Sequence, residues 1–185
     1  YVESAFLDSA VSNNDKASLE VLQSMGLNLI PIELPDFPTQ SLSFVLQAEA
    51  AAAFDELTRT NKDDKMVRQV QNAWPNVFRE ARFIPAVEYI NANRARTLLN
   101  QKMAILMETI DVYLIPSFYG DNLLRTNLTG HPCVVVPNGF NDKGRPTSIS
   151  FIGDLYEDGN VLAMAKAYQE TTDWHKQYPP KFKIE

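Results

Sequence analysis

The chain has 185 residues, 45% of them hydrophobic, 22% charged and 10% aromatic, with a formal net charge of −6. No Lys/Arg cluster supplies the basic footprint of a nucleic-acid binder, and no window holds the roughly 18 apolar residues of a membrane span. Neither partner is therefore expected. The single cysteine, Cys133, excludes an internal disulfide and a thiolate zinc cage and fits a reducing, cytoplasmic setting.

The sequence begins with Tyr1, in what reads as mid-structure, so it is taken as an excised piece. "YVESAF" alternates Val2, Ser4 and Phe6 against Tyr1, Glu3 and Ala5 and predicts a short strand. Ser12 stands three residues before Asp15, the spacing of a capping box that opens a helix. Gly26 falls where a left-handed cap would close that helix. "LNLIPIEL" reads as the next strand, completing a βαβ unit.

Pro35 and Pro38 end this strand, and a helix over 41–59 follows, its "AEAAAAF" allowing close backbone approach. "TNKDDK" reads as a solvated loop. Pro85 suits the first turn of a long helix over 85–110. There Ala92, Ala95, Leu99, Met103, Leu106 and Ile110 form one apolar stripe, with Arg94 and Arg96 off it, read as solvated.

"DVYLIPS" and "HPCVVVPN" give two more strands, the second reading as buried on both faces. "TSISFIGD" follows after eight residues, too few for a crossover helix, so the last two strands should pair antiparallel. "YEDGN" opens a closing helix carrying Leu162, Ala165 and Tyr168. The expected fold class is α/β, a mixed β-sheet flanked by helices, with 1–185 forming one α/β domain or a fragment of one.

Chemistry is harder to find. None of the seven glycines brackets a serine as Gly-x-Ser-x-Gly. His131 and Cys133 share a strand face, but a cysteine in an apolar run has a raised pKa and little thiolate. Two histidines and one cysteine offer no metal-ligand spacing, and no phosphate-binding glycine loop is present. Asn127 in "NLT" reads as a polar cap. No catalytic residue, metal or cofactor is assigned.

The segment "NLTGHPCVVVPNGFNDKGRPTSISFIGD" resembles the C-terminal part of the amidase signature family. That family has an Asn-Leu-x-Gly-x-Pro turn into a strand ending Pro-x-Gly-Phe, then a Gly-x-Pro loop and a strand closing on Phe-Ile-Gly. "DVYLIPS", "FIPAVEYINANRARTL" and "ASLEVLQSMGLNLIPIELP" are similar to its preceding elements, in the right order over essentially the whole chain. On this pattern Gly130 and Pro132 make a sharp turn into the strand, and Asn138-Gly139 ends it.

The resemblance implies hydrolysis of carboxylic amides through a serine acyl-enzyme, with paired serines and a lysine on a Gly/Ser-rich segment outside this chain. The chain alone is then inactive and contributes support and one wall of the substrate pocket. Asp121 lies six residues before Asn127, near a position where relatives place a polar pocket residue, and Ser117, Phe118, Tyr119 and Asn122 share its loop. The partners implied are a small-molecule amide and the missing N-terminal portion, with self-association through an uncovered sheet edge. Two other readings stay open: part of the glutaminase subunit of a tRNA-dependent amidotransferase, with Arg125 or Arg96 facing a carboxylate, or a non-catalytic α/β scaffold.

Overall fold

The structure is a computed structural model that describes residues 1–9 and 11–182. In chain order its α-helices are α1 (Glu3–Leu7), α2 (Asn13–Ser24), α3 (Phe44–Ala53), α4 (Asp55–Arg59), α5 (Trp74–Ala81), α6 (Ala86–Met107), α7 (Asn122–Thr129) and α8 (Asp158–Thr172). The strands are β1 (Val112–Pro116), β2 (Cys133–Phe140) and β3 (Pro146–Gly153). The chain divides into two units: Tyr1–Asp36 with the chain from Gln101 onward, and Phe37–Asn100. The division falls inside α6, where the composition marks no boundary.

The first unit is built on a three-stranded antiparallel sheet of order β1-β3-β2. β3 is central, and Ile149, Phe151 and Ile152 are buried on it. Val161, Ala165 and Tyr168 form the buried face of α8, and the Phe151 and Tyr168 rings meet at 5.6 Å. Leu162, expected on that face, is instead exposed.

The predicted first strand is a helix. Val2, Ala5 and Phe6 are all buried, an i, i+3, i+4 set that suits one helix face and not an alternating strand. Only Val2 keeps a strand role, bridging Ile32 in parallel while its N–H donates to Leu114 O at 3.1 Å. "LNLIPIEL" likewise reduces to that bridge, because Pro31 and Pro35 remove ladder donors. The βαβ unit survives as that single parallel bridge, which joins the chain before α2 to the chain after it. The capping box forms as expected, Ser12 accepting from Asp15 N and Asp15 from Ser12 N, and Gly26 follows the helix at φ +82°.

β2 departs most from expectation. It is an edge strand, with Val136 buried, Val135 56% exposed and Cys133 exposed, so "CVVV" is not enclosed on both faces. Asn138-Gly139 does not end the strand either; the register shifts between Pro137 and Gly139, and pairing continues to Phe140. Gly139 sits at φ +138°, a bulge conformation that glycine admits without a Cβ penalty. Asn127 is no cap: it lies within α7 and its amide donates to Leu123 O at 2.7 Å. Gly130, at φ +83°, closes α7 and turns the chain into β2.

In the second unit the predicted 41–59 helix is broken. A 3-10 turn over Thr39–Leu42 precedes α3, and Phe54 separates α3 from α4. α5, which no sequence pattern announced, brings Phe78 and Ala81 against Ala51, with Ala50, Leu57, Met66 and Ile84 packed around them. "TNKDDK" is not wholly solvated: Asp63 is 1% exposed and pairs with Arg79 at 2.5 Å. On α6 the buried positions are Ala92, Leu99, Met103 and Met107, close to the predicted stripe.

Candidate functional site

β1 ends at Pro116, and the chain turns at once, Tyr119 N–H donating to Pro116 O at 3.0 Å. Gly120 takes φ +55°, and α7 begins two residues later. The turn places Ser117, Phe118 and Tyr119 on the wall of a cavity of about 370 Å³. The opposite wall comes from the start of α2 and the segment before it (Val11, Ser12, Asp15) and from the start of β3 (Pro146, Thr147, Ser148).

The five residues singled out by the sequence thus separate. Ser117, Phe118 and Tyr119 line the cavity, and the Phe118 ring is 87% exposed. Asp121 stands just before α7 without capping it, its Oδ1 3.4 Å from Nη2 of Arg125. Asn122 is 4% exposed, and its Oδ1 accepts from the Tyr113 hydroxyl at 2.8 Å. Burial drives the Tyr113 hydroxyl well above the usual phenol range, so it stays a donor in this pair.

Arg125 is itself buried, its Nη1 donating to Pro35 O at 2.9 Å. Arg96, on α6, lies 3.8 Å from Glu49. Neither guanidinium lines the cavity.

The residues missed are those on the opposite wall. One signal was legible: in "TSISF" the alternation places Ser148 and Ser150 on the same face, away from Ile149 and Phe151. Both serine hydroxyls donate to Ser117 Oγ, at 2.9 and 3.0 Å. Asp15 lies too far from β3 in sequence to be foreseen here. Its carboxylate accepts from Ser12 N, the Ser12 hydroxyl and the Asn138 amide.

His131 and Cys133 do not act as a dyad in this arrangement. The Thr129 hydroxyl donates to Arg125 O at 2.9 Å, so its oxygen accepts from His131 Nδ1–H at 2.8 Å. The remaining ring nitrogen, Nε2, is buried and faces Asp154 Oδ1 at 3.9 Å. Although Cys133 is exposed as a residue, the surrounding chain partly desolvates its thiol, which raises it above its ordinary value. A second cavity of about 290 Å³ lies between the 27–30 segment and β1, its wall including Leu22, Leu29, Leu114, Phe151 and Met164. Among the described residues no three His, Cys, Asp or Glu side chains converge as a metal cage, and no helix is long and apolar enough to cross a membrane.

No family model matches the chain. It is 23% identical over 213 aligned positions to a glutamyl-tRNA(Gln) amidotransferase subunit of Rippkaea orientalis, covering 94% of this chain and 44% of that protein. The corresponding protein of Synechococcus sp. (strain JA-2-3B'a(2-13)) is 26% identical over 204 positions, covering 89% and 40%. Among solved structures, a bacterial aryl acylamidase belonging to the amidase signature enzymes superposes with a TM-score of 0.71 at 17% identity, over 89% of this chain and 40% of that one. The peptide amidase of Stenotrophomonas maltophilia gives 0.69 at 20% identity, over 92% and 41%. The fold is that of the amidase signature enzymes. The chain is similar to the C-terminal part of these proteins and spans about two fifths of their length.

Proposed function

We propose that this chain is the C-terminal portion of a hydrolase that cleaves carboxylic amide bonds through a serine acyl-enzyme, and that it supplies one wall of the substrate pocket. The observation that carries the reading is the likeness over 89–94% of this chain to proteins of which it spans 40–44%. The nucleophile, its serine partner and the lysine base belong, on this reading, to the portion that those relatives have and this sequence does not. Ser117, Phe118 and Tyr119 would face the substrate. Asp121, held by Arg125, would stand at the rim of the same pocket with Asn122 fixing the turn beneath it.

The test is to express the protein with its upstream coding sequence and assay release of carboxylate and amine from a panel of amides. Hydroxylamine trapping reports the acyl-enzyme. The 185-residue chain alone is expected to give no turnover. In the longer protein, Asp121→Ala is expected to change preference across the panel more than it changes the melting temperature; equal kinetics on all amides would remove Asp121 from the site.

A second reading is favoured by the two amidotransferase relatives: the glutaminase subunit of a tRNA-dependent amidotransferase. Glutamine-dependent ammonia release and co-purification of a partner protein would select it over a free-standing amidase. A cytoplasmic setting belongs to either reading. The exposed edge of β2 supports self-association of the isolated chain, which light scattering would detect.

A further inference from the structure

The cavity at the end of β1 carries a polar group whose acceptor capacity is spent and whose proton is not. A serine hydroxyl has two acceptor lone pairs and one proton to donate. Ser117 Oγ accepts from Ser148 Oγ at 2.9 Å and from Ser150 Oγ at 3.0 Å, which occupies both lone pairs. What is left to Ser117 is its own O–H, on a residue that lines the cavity. Three other polar residues of the cavity wall are otherwise engaged. Ser12 and Asp15 bond each other, Asp15 also takes the Asn138 amide, and the Tyr119 hydroxyl donates to Ser4 O at 3.4 Å.

The two donors stand on β3 behind Ser117. Ser150 is 3% exposed, so the hydroxyl that it gives to Ser117 is held out of water. Ser148, Ser150 and Ser117 therefore form a hydroxyl network in which the two β3 serines donate into Ser117 and its own proton is the terminal donor. Such networks polarise their members and strengthen the terminal donor. Beside that donor lies the Phe118 ring, 87% exposed, with Pro116 and Pro146 on the flanking walls.

We propose that Ser117 is a specificity-determining hydrogen-bond donor, and that the cavity takes a carbonyl oxygen carried next to an apolar or aromatic group, separate from the bond that is cleaved. This rests on the amide-hydrolase reading for the nature of the substrate, while the donor itself follows from the hydroxyl geometry. An ammonium or other donor-only group meets no acceptor at Ser117 and is disfavoured there.

The probes are two amides that differ only at one position, 4-oxo-4-phenylbutanamide and 4-phenylbutanamide, in which a carbonyl is replaced by a methylene. Binding to the full-length protein is measured by ligand-observed NMR, and hydrolysis is measured separately. The ketone is expected to bind more tightly than its methylene counterpart. Ser117→Ala should weaken the ketone by about tenfold and the methylene compound by less than about twofold. Ser117→Thr, which keeps the hydroxyl, should restore the preference, and melting curves confirm that each variant folds. Ser148→Ala and Ser150→Ala should each reduce the preference by a smaller factor, because each frees a lone pair on Ser117. Equal affinity of the two amides for the wild type, or equal weakening of both by Ser117→Ala, overturns the proposal. Preferential ketone binding without hydrolysis of either amide upholds the donor and counts against the amide-hydrolase reading.

Discussion

The side-chain amide of Asn138, in the bulge of β2, donates to Oδ1 of Asp15 at 2.8 Å across 123 positions of sequence. The other oxygen of Asp15 completes the capping box of α2, so one buried carboxylate both starts a helix and fastens the bulge. Asn138→Ala would leave that oxygen short of a donor in a site 8% exposed, and a loss of about 2 kcal/mol is expected. Asp15→Ala removes the cap as well and should cost about 3 kcal/mol. Urea denaturation of the two variants gives both numbers.

Gly153 closes β3 against α8, where an added Cβ would stand 2.2 Å from Cγ2 of Val161. That is an overlap with a branched side chain that is itself fully buried. Gly153→Ala is expected to destabilise by about 2 kcal/mol. Val161→Ala also destabilises, by leaving a void, yet the double variant should lose less than the sum of the singles. Strict additivity in the thermodynamic cycle would show that the strand end yields by another route.

In the second unit, Asp63 is almost fully buried and has Arg79 as its ion-pair partner. Removing the guanidinium leaves a carboxylate out of water with its charge uncompensated. Arg79→Ala should destabilise by about 3 kcal/mol, and Arg79→Lys by less. Hydrogen exchange at α5 reports whether the opening is confined to that unit.

His131 sets a pH dependence of stability. Burial pushes its imidazole below the usual range, and the Asp154 carboxylate opposes this only in part. The unfolded chain therefore takes up the proton first as the pH falls. The stability held by neutral His131 is complete above the ordinary value of about 6.5 and is lost between there and the lower folded value. Urea midpoints at about pH 7.5 and pH 5 should differ less in His131→Gln than in the wild type; an unchanged difference would assign the acid sensitivity elsewhere.

Legibility followed distance along the chain. The capping box at Ser12, the cap at Gly26, the turn at Gly130, the β2–β3 hairpin and the buried stripe of α6 depend on residues a few positions apart, and all were readable. Tyr1–Phe6 misled because six residues fit both a strand and a helix period, and the burial of Ala5 beside Phe6 decided it. "CVVV" misled because an apolar run does not say whether its strand is central or at an edge; that depends on β3 taking the middle place. In the candidate site, the turn after β1 was visible as a sequence loop. Its opposite wall comes from α2 and β3, and no local pattern joins Ser12 and Asp15 to Ser148.

The bulge at Asn138-Gly139 absorbs one extra residue in β2, after which Gly139 faces Thr147. A shortened chain lacking Asn138 would bring Pro137 and the glycine after it onto Ser148 and Thr147 with nothing left over, and the ladder would close straight. What such a deletion takes away is the amide that Asp15 accepts, and with it one of the ties from the start of α2 to the sheet. The surplus residue thus serves as a peg between helix and strand, and removing it tidies the edge while loosening what leans on it.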